Sequence, residues 1–447
     1  MRVRIINLWE EIRSSYWFVP MLMGAIAVAA SFVTLALDNE YSFELGRELG
    51  LVWGGGPEGA RGLLETVAGS MITVAGVTFS ITIVALSQAS SQFGPRLLRN
   101  FMRDTGNQIV LGTFIATFTY CLLILRTIRA DGDQEFVPYI SITIGILLAL
   151  FSLGVLIYFI HHAALSIQAP YVIAEVAEDL FHTIDQLFPG QVGRSKDDIE
   201  EAQAEDDIPD NFMEEACPVE VERSGYLQAV DMEKLLHIAE SNDLILCLKN
   251  RPGHFMIEGY PVVLAWPEER LDEEHARQIQ DAFIIGRERT HTQDLEFAID
   301  QLVEVAVRSL STGINDPFTA INCIDWLGAA VARLAEKDFP SPYRYDRQGF
   351  LRLYIERPFT FEGVVNAAFN QIRQYADRSA AVRIRLLEAI ALISAHTKNE
   401  ADRQVLRQHA LMIEQASREV LPEEKDREDV EERFEDVIEN QIEQALD

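Results

Sequence analysis

The sequence predicts a mainly α-helical membrane protein, in which four transmembrane helices precede a small α+β module and a helical cytoplasmic domain. Three observations support this fold class. Four long stretches without charge lie in the first third of the chain, the charge changes abruptly near residue 165, and helical periodicity runs from Leu271 to the end. The predicted division is a transmembrane domain over 1–190, an acidic linker over 191–216, the module over 217–268, the helical domain over 269–421 and an acidic amphipathic tail over 422–447.

The charge is distributed unevenly along the 447 residues. Residues 1–165 contain 12 acidic and 10 basic residues, whereas residues 166–447 contain 57 acidic and 28 basic residues, so the net charges are −2 and −29. A uniformly soluble enzyme is not divided in this way. Binding to nucleic acid requires basic residues that displace counterions from phosphates, so we expect no nucleic-acid partner.

Four uncharged stretches are long enough to cross a bilayer, which requires about 20 apolar residues. They are Ser14–Leu37, Thr66–Pro95, Thr105–Leu125 and a segment from Phe136 to at least Ile160. Six arginines flank these segments on one predicted side and four on the other, where acidic residues are also more numerous. The positive-inside rule therefore predicts that both termini are cytoplasmic.

The second segment carries a polar stripe at helical spacing. At 100° per residue, eight positions fall on one narrow face. Six of them are hydroxyl residues, and the face comprises Thr66, Ser70, Thr73, Val77, Ser80, Val84, Ser87 and Ser91. Within hydrocarbon such a face must contact protein or water.

Two interpretations of this stripe remain open. Small residues allow close packing between helices, and Gly69, Ala75 and Gly76 fit that interpretation. Alternatively, the face lines a pore, with Val77 and Val84 as apolar constrictions. A substrate cavity is a third possibility, although the stripe contains no ionisable residue, which argues against a proton relay.

Basic residues follow the second segment directly after Gly94-Pro95, which breaks or kinks a helix. Arg96, Arg99 and Arg103 are spaced along one face of a short amphipathic helix. They are candidates either for contacts with lipid headgroups or for the inner mouth of a pore.

The turn Ser311–Ala320 has the appearance of a functional site, but local turn chemistry accounts for most of it. Gly313 is predicted in the left-handed position that ends a helix, and Asp316 and Pro317 suit the start of the next one. Asn315 is the residue that this interpretation leaves unexplained.

Common enzyme signatures are missing from the sequence. It contains no GxSxG, HExxH, GxxxxGK or GxGxxG, and its four cysteines are not closely spaced. We therefore expect no enzymatic activity, no cofactor and no metal site.

Three stretches of the chain form a specific combination of motifs: Val74–Thr82, Ser91–Arg99 and Ser311–Ala320, supported by Arg289-Thr290, Gln293-Asp294 and Gln371–Gln374. Together they resemble a bacterial family of predicted membrane proteins of unknown function, numbered 2254. The resemblance implies a multi-pass protein of the bacterial inner membrane with a cytoplasmic C-terminal region. It implies no activity and no catalytic residues. Thr312 stands where the family is expected to show proline.

The sequence therefore favours a homo-oligomeric channel or pore whose cytoplasmic part gates or filters access. The expected partners are the lipid bilayer, further copies of the chain, and ions or small solutes. The alternatives are a non-conducting membrane-anchored sensor or scaffold and a small-solute carrier.

Overall fold

The computed structural model describes residues 15–40, 56–97, 102, 104–129, 136–188, 207–290, 292–377 and 379–446, with side chains described up to Glu439. Contacts within the chain divide it into two units. The first, here called the membrane unit, extends to Val172, and the second, the C-terminal unit, runs from Ile173.

Four long helices form the membrane unit: α1 (Phe18–Glu40), α2 (Pro57–Phe93), α3 (Thr105–Leu125) and α4 (Tyr139–Ser166). Their apolar composition explains why they are helical in a bilayer, where each backbone group must be satisfied within the helix. Local signals set their ends. Proline stands first in α2, Asp104 caps α3, and Gly94 at φ 113° terminates α2.

Helix α3 is the packing centre of this unit, because α1, α2 and α4 all contact it. A Cβ atom on Gly112 of α3 would lie 2.5 Å from the Met23 sulfur and 3.2 Å from Cα of Pro20. Glycine therefore permits the close approach of α1 to α3. Tyr120, also on α3, is fully buried and lies at the hydrogen-bonding distance of 3.0 Å from the Thr34 hydroxyl.

The C-terminal unit contains the end of α5 (Ala169–Leu187), which begins in the membrane unit after a two-residue break in the helix. The next elements are α6 (Phe212–Glu215), β1 (Cys217–Glu220), β2 (Gly225–Val230), α7 (Met232–Ser241), β3 (Ile245–Leu248), β4 (Phe255–Met256), β5 (Pro261–Trp266), α8 (Glu273–Gln280) and β6 (Phe283–Gly286). The last group is α9 (Leu295–Ser309), α10 (Pro317–Ala335), β7 (Tyr343–Tyr345), β8 (Leu351–Ile355), α11 (Phe361–Tyr375), α12 (Ala380–His396), α13 (Glu400–Val420) and α14 (Glu424–Leu446).

The strands form two sheets with the orders β1-β5-β3-β8-β7 and β4-β2-β6. The pair β3–β8 is parallel and the other pairs are antiparallel. The prediction that the chain is helical from Leu271 onward is wrong at β6, β7 and β8. These runs of three to five residues lack a long enough pattern to distinguish strand from helix. In addition, β6 pairs with β2 and β8 with β3, both far earlier in the sequence, whereas β7 pairs with the adjacent β8.

Burial adds detail to two further predictions for the C-terminal unit. The linker predicted over 191–216 lies mostly outside the described residues. In its described end Phe212 is 1 % exposed, with its ring centroid 5.5 Å from that of Tyr354, while the residues around it are exposed or half-buried. The acidic tail packs on its own chain. Val430 and Val437 of α14 are buried where this helix lies against α12 and α13.

Five of the described helices are long and apolar enough to cross a membrane, one more than the sequence predicts. The fifth is α10, which is the least apolar of the five and lies in the C-terminal unit. It packs against α9, α11 and α12, and Ile324, Leu327 and Leu334 are fully buried there. The count of four crossings stays a prediction.

Candidate pore-lining face and other candidate sites

The eight residues of the polar stripe on α2, here called the hydroxyl face, are all exposed in the single chain. Val77 is 54 % and Val84 is 69 % exposed. The face runs from Thr66 to Ser91, which is about 38 Å at 1.5 Å per residue. It is therefore longer than the hydrocarbon core of a bilayer, about 30 Å.

The rest of the chain covers the opposite side of α2. The buried residues there are Ala60, Leu64, Ala68, Ala75, Thr78, Ala89 and Phe93. At 100° per residue their mean direction lies roughly 165° from the hydroxyl face. Ala75 thus packs within the chain, as the helix-packing interpretation expects, whereas the residues of the hydroxyl face are exposed in the described part of the protomer.

Three hydroxyl groups on this face are bonded to their own helix. Thr66 donates to the carbonyl of Gly62 at 2.7 Å, Thr73 to that of Gly69 at 2.8 Å, and Ser80 to that of Gly76 at 2.9 Å. Each hydroxyl donates to the carbonyl four residues earlier, so no free-energy penalty for an unpaired hydroxyl proton arises at these three positions. The oxygen atoms retain lone pairs that can accept from water or face a cation.

The three acceptor glycines form a row beside the hydroxyl face at intervals of seven residues. A Cβ atom built on Gly62, Gly69 or Gly76 would meet nothing within 4 Å. Together, glycine and hydroxyl residues repeat the small-xxx-small spacing that lets membrane helices approach closely. This open row suits contact with a helix of another protein chain.

The basic candidates after α2 are only partly described. Arg96 is exposed in a single 3₁₀ turn, Pro95–Leu97, that follows Gly94. Arg99 and Arg103 lie outside the described residues.

A buried carboxylate at the end of α1 escaped the sequence analysis. Asp38 is 5 % exposed and accepts hydrogen bonds from the backbone amides of Ile140 and Ser141 and from the Ser141 hydroxyl, at 2.6–2.9 Å. These groups form the N-terminus of α4, where a negative charge is favoured. In the sequence, Asp38 is noticeable only as an acidic residue at the end of an apolar segment. In the structure it caps the N-terminus of α4.

A second acidic cap joins α3 to the end of α4. Oδ2 of Asp104 lies 2.6 Å from Nε2 of His162, while its other oxygen accepts from the Gly106 amide at 2.8 Å. The Tyr158 ring stacks on His162 with centroids 5.4 Å apart. The sequence alone does not reveal this pairing, since it depends on how the helices meet.

The turn Ser311–Ala320 corrects one sequence prediction. Asn315, not Gly313, adopts the left-handed conformation, with φ 52°. Asparagine is one of the few residue types that tolerate this backbone region, which explains why asparagine stands at position 315. Asp316 caps α10 as predicted, accepting from the amides of Phe318 and Thr319. Ile314 and Phe318 are exposed.

The stretch Arg289–Asp294 has a structural role that its spacing alone did not reveal. Arg289 binds Asp294 through two hydrogen bonds of 2.6 and 2.8 Å, and Asp294, 1 % exposed, also caps α9. The Gln293 amide pairs with both backbone groups of Val230 on β2. Burial and the nearby Arg251 guanidinium lower the pKa of His254 in the adjoining turn. These hydrogen bonds connect the start of α9 to strand β2.

The described part of the chain contains no cluster of histidine, cysteine and acidic side chains that could hold a metal ion.

The membrane unit and its arrangement of apolar helices define a multi-pass membrane protein.

Comparison with known proteins agrees with this class. Residues 13–392 match the family of predicted membrane proteins DUF2254, and the chain belongs to that family. It is 30 % identical over 427 residues to an uncharacterized protein of Mycobacterium tuberculosis strain H37Rv and, equally, to one of Mycobacterium bovis. Each alignment covers 94 % of this chain and 79 % of the relative. No solved structure matches the chain.

Proposed function

We propose that the protein is a homo-oligomeric channel or pore of the bacterial inner membrane, with the hydroxyl face of α2 along the water path. The observation that carries this proposal is that all eight residues of that face are exposed in the single chain. The hydroxyl oxygens along this face, about 38 Å long, keep lone pairs that lipid cannot satisfy, whereas water or other copies of the protein can. A symmetric assembly provides both.

In this proposal the glycine row and the hydroxyl face of α2 have different roles. The glycine row allows neighbouring copies to approach, while the hydroxyl face beside it turns toward the axis. Val77 and Val84 are seven residues, or about 10 Å, apart along the helix. In an assembly each forms an apolar ring that can stop ions by dewetting.

The proposal includes four crossings and cytoplasmic termini. Helix α10 is left out of the crossings because its apolar side chains are buried inside the C-terminal unit. That unit gates or filters access, and α5 is its covalent connection to α4, the last proposed crossing. Enzymatic activity is not part of the proposal.

The second candidate is a non-conducting membrane-anchored scaffold or sensor. The open glycine row favours it, because the same row could serve tight helix contacts that leave no water path. The carrier has less support. Among the described residues of the membrane unit Asp38 is the one buried carboxylate, and it is satisfied by the start of α4.

Ion flux into liposomes containing purified Val84→Asn protein separates these functions. A pore predicts higher resting flux, because asparagine wets the ring. Ile83→Asn is the matched control, since Ile83 is also exposed but lies off the hydroxyl face. The scaffold predicts lower yield and no added flux from Val84→Asn, and that result in properly assembled protein would overturn the pore.

A further inference from the structure

The turn before α10 holds two apolar side chains in exposed positions. Ile314 is 44 % exposed, and Phe318, at 80 %, is the most exposed large apolar side chain among the described residues. The backbone of the turn is fixed, because the amides of Ile314 and Asn315 donate to the Ser311 carbonyl at 3.1 and 2.8 Å. Asp316 then caps α10 by accepting from the Phe318 amide at 3.1 Å. Apolar surface that a fixed turn exposes in this way is typical of a contact with another molecule or with lipid.

The surroundings of these two side chains are almost free of charge. Residues 166–447 contain 57 acidic and 28 basic residues, whereas the sixteen residues from Ser309 to Ile324 contain one charged side chain, Asp316. Its carboxylate accepts hydrogen bonds from the amides of Phe318 and Thr319 and from the Thr319 hydroxyl. Placing this turn against an apolar surface would therefore desolvate little unpaired charge.

Helix α10, which begins at this turn, lies beside α5 and runs in the same direction. The ring centroids of Phe181 on α5 and Trp326 on α10 are 5.9 Å apart. Further along both helices, the Arg333 guanidinium of α10 donates to the Asp185 carboxylate of α5 at 2.5 and 3.1 Å. Because the second contact lies C-terminal to the first on both helices, α5 and α10 are parallel.

The parallel arrangement places the exposed turn level with the start of α5. Counting back eight residues from the ring pair reaches Phe318 on α10 and Ile173 on α5, so these two positions lie at about the same height along the helix pair. Ile173 is four residues, or about 6 Å, beyond Ala169, where α5 begins. Helix α5 in turn follows α4, the last proposed crossing, after a break of two residues. The chain connection therefore keeps this end of α10 near the point where the proposed crossing ends.

We propose that this turn inserts into the cytoplasmic surface of the lipid bilayer, with Ile314 and Phe318 reaching into the boundary between headgroups and acyl chains. Apolar side chains of interfacial segments reach about 5–10 Å into this boundary. The partner is the bilayer surface and no particular headgroup, because the unit is acidic and the turn offers no basic side chain to anionic lipid. The inference goes beyond the proposed pore and uses only its crossing by α4. Insertion would give the C-terminal unit a second attachment to the membrane besides α5.

The test measures the surroundings of a bimane fluorophore on a single cysteine, Ile314→Cys, in the full-length protein with its native cysteines replaced. In phosphatidylcholine liposomes we expect nitroxide-labelled phosphatidylcholine to quench this bimane strongly and iodide, present on both sides of the membrane, to quench it weakly. Phe350→Cys is the matched control, because Phe350 is also an exposed phenylalanine, at 58 %, in the turn between β7 and β8. A bimane there should show the opposite pattern.

A second substitution tests the larger apolar side chain. Phe318→Glu, added to the Ile314→Cys protein, alters an exposed position and places an acidic residue in the first turn of a helix, where a negative charge is favoured. The variant should therefore keep its unfolding temperature, while nitroxide quenching at position 314 should fall toward the value at position 350. If the Ile314→Cys protein folds poorly, bimane on Phe318→Cys provides a second reporter with the same expected pattern.

Two results would overturn the proposal. The first is iodide quenching at position 314 as strong as that at position 350, which would show that the turn lies in water. The second is protection from both quenchers, which would show that protein, such as a second copy of the chain, covers the turn. These measurements do not require conduction, so failure of the pore would leave the insertion standing, and the reverse also holds.

Discussion

The Thr73 hydroxyl donates a hydrogen bond of 2.8 Å to the carbonyl of Gly69, on a side of α2 that the rest of the protomer leaves open. The same relationship recurs one heptad earlier and one heptad later, at Thr66–Gly62 and Ser80–Gly76. Because of this repeat, one side of α2 carries glycines without side chains and the neighbouring side carries hydroxyl groups. A helix with this surface suits a symmetric contact between copies, and the following predictions test its consequences.

Enlarging the glycine row should weaken assembly without harming the protomer. Gly69→Leu places a bulky side chain where a Cβ atom meets nothing within 4 Å in the single chain. We expect native mass spectrometry in mild detergent to show oligomers for the original protein and a marked shift to monomer for the variant. Gly154→Leu on α4 is the matched control, because that glycine has equally open surroundings. An unchanged oligomer in Gly69→Leu would remove the glycine row from the interface.

Loss of the Asp294 carboxylate should strongly destabilise the C-terminal unit. Asp294→Ala leaves the half-buried Arg289 without its bidentate partner and α9 without its cap. Breaking such a buried pair costs about 3–5 kcal/mol. Asp300→Ala, which removes the other and more exposed partner of Arg289, should cost less. Thermal unfolding of the two variants compares them, and equal losses would contradict this role for Asp294.

His409 should make the C-terminal unit less stable in mild acid. Burial, together with the nearby Arg373 charge, lowers the pKa of this histidine to about 4. In the unfolded chain the pKa is about 6.5, so the unfolded state binds the proton first as the pH falls. The neutral, buried histidine therefore contributes fully to the free energy of unfolding only above the unfolded-state pKa. This contribution declines by about 2 kcal/mol as the pH falls from about 7.5 to 5.

The measurement is the pH dependence of the unfolding temperature for the original protein and for His409→Gln. Glutamine can still donate toward Asn366, which lies 3.0 Å from Nε2 of the histidine. We expect a flatter profile for the variant over this interval. Identical profiles would show that His409 does not cause the loss.

The orientation of the chain can be tested by labelling. With the four native cysteines replaced, a cysteine at Asn39, which is exposed at the end of α1, should react with an impermeant thiol reagent applied outside intact cells. A cysteine at Glu273, also exposed, should react only after lysis. The opposite labelling pattern would reverse the proposed topology.

The sequence predicts features that depend on local periodicity better than those that depend on distant contacts. The hydroxyl face follows from spacing alone, and the structure leaves that face open. Asp316 was likewise predictable as a cap from its own turn. By contrast, Asp38 meets the start of α4 about a hundred residues later, and β8 pairs in parallel with β3, about a hundred residues earlier. The choice of Asn315 over Gly313 depended on the backbone path of the whole turn.

Thiol accessibility along α2 tests the central claim most directly. Single cysteines at Ser70, Thr73 and Ser80 should react with a small water-soluble thiol reagent in membranes, and their modification should reduce flux, because this face lines water. Cysteines at Ile72 and Phe79, which are exposed on another side of the helix, should remain unreactive in lipid. If Ser70 and Thr73 are as unreactive as Ile72 in the assembled protein, the face is buried in a dry helix contact and the pore is contradicted.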